Sequence, residues 1–248
     1  MKNGFVIKIV LFFIAVALGV GILSFFLGEI SLPWTTWRDV TASANAVKYT
    51  TVIIDAGHGG EDGGTSSASG LVEKDVNLEI AKLITKELEK QGINVILTRS
   101  DDRLLYDPNS DYQGRKKKLD LAARLDIMKN TENAIFISIH MNAFTDRSCS
   151  GLQVWHSKNF PESYELAKII QNNARLRLDT TNKRVVKAAT SAINLLENAT
   201  CPAVLIECGF LSNPTEASLF ESPEYRGKVA QNIAYSISEF LKASDTSS

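Results

Sequence analysis

Histidine and cysteine are scarce in this chain of 248 residues, three of each, and neither sign of charge is in excess, at 27 Lys and Arg against 28 Asp and Glu. Cys149, Cys201 and Cys208 form an odd set without a CxxC pair. Neither a disulfide framework nor a cysteine-built zinc site is implied, and each is read as a small, semi-apolar side chain. A formal net charge of -1 gives no basic excess for a phosphate backbone, so nucleic acid is set aside as a partner. The HExxH arrangement and other short zinc motifs are also missing. No internal repeat or low-complexity tract divides the chain, and 44% hydrophobic with 22% charged residues suits one globular core.

What the chain does have begins with a long apolar run. From Ile9 to Leu27 no residue is charged, with Lys2 and Lys8 before the run and Glu29 after it. That length matches the ~20 residues of a membrane helix, and the flanking charges orient it with the start in the cytoplasm and the rest outside. Small-residue triplets that could mark signal cleavage, Ala42-Ser43-Ala44 and Ala44-Asn45-Ala46, lie well past the run. Residues 1–28 are therefore expected to be an uncleaved anchor, with a cleaved signal as the competing expectation. Residues 29–48 are expected to be a linker whose Trp34 and Trp37 could sit at the membrane interface, 49–242 a catalytic domain, and 243–248 a disordered tail.

Within the domain, strand and helix patterns alternate. YTTVIID, INVILTR, NAIFISIH, GLQVWHS and PAVLIECGF read as strands. EKDVNLEIAKLITKELEKQG, the stretch from Leu119 to Asn130, PESYELAKIIQNNARLRL and EYRGKVAQNIAYSISEFLKA read as helices. The expected fold is α/β, a mostly parallel central sheet flanked by helices, in a single domain behind the anchor.

The informative coincidence is where chemistry meets the strand ends. TVIID leads into a loop of five glycines holding His58, AIFISI ends in His140, and AVLI ends in Glu207. In open parallel sheets these ends line one edge, where ligands bind. A zinc ion there would take neutral imidazoles plus a carboxylate, offered by Asp55, Glu61, Asp62, Glu73 or Glu207. Glu73, in the first turn of the helix after the loop, can fold back to that edge. Asp55 is expected to organise the turn, Glu61 and Asp62 to face solvent, and His156 to be structural or on the surface. Burying Glu207 after four apolar residues is costly without a function, which fits the acid/base carboxylate of a zinc hydrolase.

Four segments in this order, DAGHGG, EKDVNLEIA, SIHMNA and PAVLIECGFLSNP, lie within residues 50–242 and resemble the zinc-dependent N-acetylmuramoyl-L-alanine amidases of the amidase-3 type. The resemblance implies that His58, Glu73 and His140 bind Zn2+ and that Glu207 is the catalytic acid/base. Asn142 and Arg184 fall where the family places residues near substrate. Two departures stand out: Ala56 where the family often has Pro, and Cys208 where an apolar residue is usual, which raises a stray metal contact or oxidation beside Glu207. The short tether and the charged GRKKKLDLAARLDIMKN are similar to the spore-cortex, germination-specific members. That likeness implies peptide removal from muramic acid in cortex peptidoglycan, a step toward muramic-δ-lactam, on the outer face of a membrane in the forespore intermembrane space. An accessory activator protein would supply positioning in place of a wall-binding module. Two other functions remain compatible with the residues alone: a membrane-tethered regulatory protein without catalysis, and a zinc peptidase acting within the stem peptide.

Overall fold

The computed structural model describes residues 49–107, 109 and 114–246. The expected anchor and linker lie outside the described residues. Among the described residues no helix is long and apolar enough to cross a membrane.

The chain runs β1 (Thr51–Ala56), α1 (Glu73–Glu89), β2 (Asn94–Leu97), α2 (Lys116–Lys129), β3 (Ala134–Asn142), β4 (Gln153–His156), α3 (Pro161–Arg177), β5 (Lys187–Ala188), α4 (Asn194–Glu197), β6 (Ala203–Phe210), α5 (Pro214–Glu221) and α6 (Pro223–Thr246). One six-stranded sheet has the order β2-β1-β3-β6-β4-β5. Its pairs are parallel except β4 against β6. This is the expected α/β domain with a mostly parallel sheet flanked by helices. Helix α6 continues past residue 242 to Thr246, where the Ser244 hydroxyl donates to the Phe240 carbonyl, so the helix takes in part of the expected tail.

The alternation of side chains along each strand divides the core in two. Val52, Ile54, Ile135, Ile137, Val204 and Ile206 pack with buried residues of α1, α3 and α6 on one face. Ile53, Phe136, Leu205 and Met128 pack with Leu195 and Leu196 of α4 on the other. Helix α1 buries Val76, Ile80, Ile84 and Leu88 at a spacing of four, the apolar stripe of an amphipathic helix. Each such fully buried aliphatic side chain contributes about 1.5–3 kcal/mol. Gly92, at φ 76°, then turns the chain into β2.

Helix α2 buries a different stripe, Asp120, Arg124 and Met128. Its guanidinium meets Asp55 of β1, where Nη1 donates to Oδ1 in a pair that is 2% and 0% exposed. Asp55 also accepts from Thr98 Oγ1 at 2.8 Å and Ser138 Oγ at 2.7 Å, so its carboxylate is fully employed. Burial alone would raise its pKa, but Arg124 and the two hydroxyls hold it below the ordinary value.

A depressed folded pKa means that this stabilisation is present above the unfolded value of 3.8 and is lost as pH falls through the lower folded value. Arg124→Ala leaves a buried carboxylate without its cation and is expected to cost about 3–5 kcal/mol in urea unfolding at neutral pH. The gap to wild type should narrow as pH drops below 3.8. A cost under about 1 kcal/mol, as for a surface pair, would contradict this role.

Candidate metal centre

The glycine-rich loop after β1 is held by buried arginines. Arg99 donates from Nε to the Ala56 carbonyl at 3.0 Å and from Nη2 to the Gly57 carbonyl at 3.1 Å. Arg124 donates to the carbonyls of Ala56 and His58, each at 2.9 Å. Three successive carbonyls are thereby turned inward, and His58 adopts φ 62°, a conformation unusual for a residue other than glycine. The expected departure at Ala56 has a use, since its amide donates to Thr98 Oγ1 at 3.3 Å, which proline could not do.

Two of the glycines are required by close approach. A Cβ on Gly57 would lie 2.7 Å from His140 Cδ2, and one on Gly64 would lie 2.8 Å from Glu73 Cδ and 2.9 Å from His58 Cδ2. The loop therefore lies directly against the three side chains predicted to bind metal.

Those side chains converge. One donor atom from each of His58, Glu73 and His140 can be chosen so that all lie within 4.8 Å of one another. His58 Nε2 is 3.2 Å and His140 Nδ1 3.0 Å from the same Glu73 Oε1. Glu73 opens α1, where the helix dipole favours a carboxylate, and it accepts from the amides of Thr65 at 2.8 Å and Met141 at 3.0 Å. Burial opposes its charge, but the two imidazoles hold the carboxyl well below the usual range. Burial likewise disfavours protonated His58, yet Glu73 and Asp62 outweigh it and raise the imidazole above its ordinary value. Two imidazole nitrogens and one carboxylate are the donor set of a catalytic zinc site, which leaves a further position open for water or substrate.

Glu207 lies next to this cluster, paired across the β3–β6 ladder with His140. β3 continues past the predicted end at His140 to Asn142, with a register shift between those two residues, and β6 runs to Phe210 as the PAVLIECGF pattern predicts. A bulge of this kind re-aims side chains near a site. Glu207 Oε2 is buried without a hydrogen-bond partner among the described residues. Burial, with Glu73 adding to it, pushes the carboxyl up to about 7. A cavity of about 250 Å³ opens beside it, lined by His58 and His140, by the apolar Leu121, Ile193 and Leu195, and by Lys117.

The other expected residues divide. Asp55 organises the turn as foreseen, but through Arg124 of α2. Glu61 is exposed and pairs with Lys116. Asp62 departs from the expectation of a solvent-facing carboxylate: its Oδ2 lies 3.0 Å from His58 Nδ1. His156 is structural, with Nδ1 2.9 Å from the Ser157 carbonyl and its ring against Tyr164. Cys208 points to the face opposite Glu207 and is 3% exposed in the core, with burial raising its thiol pKa, so contact with the metal ligands and easy oxidation are both overturned. Asn142 ends β3 two residues beyond His140. Arg184 stacks on Phe210 and donates from Nε to the Ser150 carbonyl at 2.6 Å, and it does not line the cavity beside Glu207. Arg99 and Arg124 carried no signal in the sequence, because charged residues on a helix or after a strand read as solvated.

Known proteins share this arrangement of chain. The germination-specific N-acetylmuramoyl-L-alanine amidase of Bacillus subtilis strain 168 is 39% identical over 182 residues, 73% of this chain and 76% of the relative. The CwlD amidase of Clostridioides difficile, solved in complex with the GerS lipoprotein, superposes with a TM-score of 0.73 at 39% identity over 78% of this chain and 99% of that one. The catalytic domain of CwlV, an amidase from Bacillus (Paenibacillus) polymyxa var. colistinus, gives 0.65 at 28% identity over 78% and 98%. Residues 52–239 match the amidase-3 family model, described as N-acetylmuramoyl-L-alanine amidase, and the chain belongs to that family.

Proposed function

We propose that the chain is a zinc-dependent amidase that cuts the amide between the lactyl group of N-acetylmuramic acid and L-alanine. The observation that carries this is Glu207, whose Oε2 is buried without a hydrogen-bond partner among the described residues, set beside two imidazoles and a carboxylate. His58, Glu73 and His140 would hold the zinc ion. Bound there, zinc supplies a Lewis acid and lowers the pKa of water from 15.7 to about 7. Glu207 takes the proton of the attacking water, aided by a pKa pushed up to about 7. As water oxygen bonds to the carbonyl carbon and the C–N bond breaks, Glu207 returns that proton to the departing alanine nitrogen. The lactyl acid so formed gives its remaining proton to the freed amine or to solvent and is left as a carboxylate. The cavity beside Glu207 would receive the substrate against Leu121 and Leu195; Asn142 and Arg184, outside that lining, are carried into the proposal by the family resemblance alone.

The same proposal places the reaction in spore cortex, as a step toward muramic-δ-lactam. Support comes from the likeness to a germination-specific amidase and to CwlD. Residues 1–28 would tether the enzyme to the outer face of a membrane in the forespore intermembrane space, by their uncharged run of membrane-spanning length. A CwlD solved with a lipoprotein supports an accessory partner for this chain as well.

Mass spectrometry of muropeptides after incubation with the purified protein should show muramic acid freed of peptide, together with peptides that begin at L-alanine. Products cut between amino acids would make the enzyme a stem-peptide peptidase instead. Glu207→Gln is expected to retain bound zinc while kcat falls by about 10²–10⁴-fold. Full activity in that variant would remove Glu207 from the chemistry. Glu73→Ala should lose zinc on dialysis and activity with it, as read by metal analysis of the dialysed protein.

A further inference from the structure

We infer that Asp62 is a positioning residue for the metal centre, fixing His58 in the tautomer whose Nδ1 carries the proton and whose Nε2 is left to bind metal. The inference rests on the zinc-binding role proposed for His58 and extends it to a residue outside the ligand set.

The two nitrogens of His58 face different carboxylates. Nδ1 lies 3.0 Å from Asp62 Oδ2, and Nε2 lies 3.2 Å from Glu73 Oε1 within the cluster. A neutral imidazole has one donor and one acceptor nitrogen, so a carboxylate at Nδ1 selects the Nδ1–H form and turns the Nε2 lone pair toward the cluster. His140 presents its other nitrogen, Nδ1, to the same Glu73 oxygen, so only a directed partner gives His58 the complementary tautomer.

The placement of Asp62 is built into the loop. The Gly59 amide donates to the Asp62 carbonyl and the Asp62 amide to the Gly59 carbonyl, both at 3.0 Å, which folds the segment back so that Asp62 reaches the ring four residues earlier. The Gly64 amide donates to Asp62 Oδ1 at 3.3 Å, holding the carboxylate from its other oxygen. Lys117 Nζ approaches Oδ2 at 3.8 Å from α2. The side chain is 26% exposed, so it is neither a free surface acid nor part of the core. Arg124 meanwhile fixes the His58 carbonyl at 2.9 Å. The imidazole is thus held at both its backbone and its outer nitrogen.

Loss of such an outer hydrogen-bond partner weakens metal binding by about 10–100-fold. The test is zinc competition against a chromophoric chelator, using the full chain as wild type, Asp62→Ala, Asp62→Asn and Glu61→Gln. It is joined to long-range ¹H–¹⁵N spectra of the imidazoles in the zinc-loaded protein. Asp62→Ala should raise the Kd by about 10–100-fold. Asp62→Asn, which keeps an acceptor oxygen without the charge, should fall between, and Glu61→Gln should match wild type. The wild-type spectrum should show His58 with Nδ1 protonated, and the metal-free Asp62→Asn protein should unfold at the wild-type temperature. Asp62→Ala and Asp62→Asn both binding zinc as tightly as wild type, or a wild-type His58 protonated on Nε2, would overturn the role of Asp62 alone. A wild-type chain that holds no zinc would overturn the metal centre itself and this role with it.

Discussion

The buried pair of Asp55 and Arg124 is the contact on which the site depends. Asp55 is next to last in β1, which lies between β2 and β3, and Arg124 comes from the middle of α2. Their meeting ties the second helical layer to the sheet at the point where the glycine-rich loop departs. The same guanidinium is bound by Asp120 at 2.8 Å and donates to the carbonyls of Ala56 and His58, so it balances two buried carboxylates while shaping the backbone that presents the His58 imidazole to the cluster. A buried ion pair is weak evidence for stability in itself, since desolvation offsets much of the attraction. Its value here is geometric. Hydrophobic residues of the same volume could fill the space but could not hold carbonyls inward or keep His58 at φ 62°.

Around that frame the protein drives two neighbouring carboxylates in opposite directions. Glu73, between two imidazoles and two backbone amides, is held ionised. Glu207, one strand away and without a hydrogen-bond partner for Oε2 among the described residues, is pushed up to about 7. Groups of one chemical type with separated pKa values suit different tasks, and the separation fits the roles proposed for Glu73 as ligand and Glu207 as proton carrier. Chain alternation completes it: residue 207 faces the cavity, and residue 208 turns into the opposite core.

Much of this was legible in the sequence, for identifiable reasons. Strands β1, β3 and β6 are continuous apolar runs because both faces are covered, and α1 shows its stripe because its buried residues are aliphatic. His58, His140 and Glu207 are visible because ionisable residues after such runs are costly unless used. What stayed hidden is carried by charge. The buried stripe of α2 is Asp120, Arg124 and Met128, whose polar members look like a solvated face until Asp55 is found opposite. Asp62 looks like a loop acid because its partner is reached only through the fold-back made by Gly59. The extension of β3 beyond His140 to Asn142 follows from strand pairing with β6, which local patterns do not encode.

His58 of the glycine-rich loop, Glu73 of α1 and His140 of β3, far apart in the chain, form the metal centre proposed above. Crystals of the zinc-soaked protein, measured at the zinc absorption edge, would locate the ion. One strong anomalous peak is expected about 2.0–2.2 Å from His58 Nε2, His140 Nδ1 and a Glu73 oxygen. A zinc peak elsewhere, with those three side chains bound to none, would contradict it.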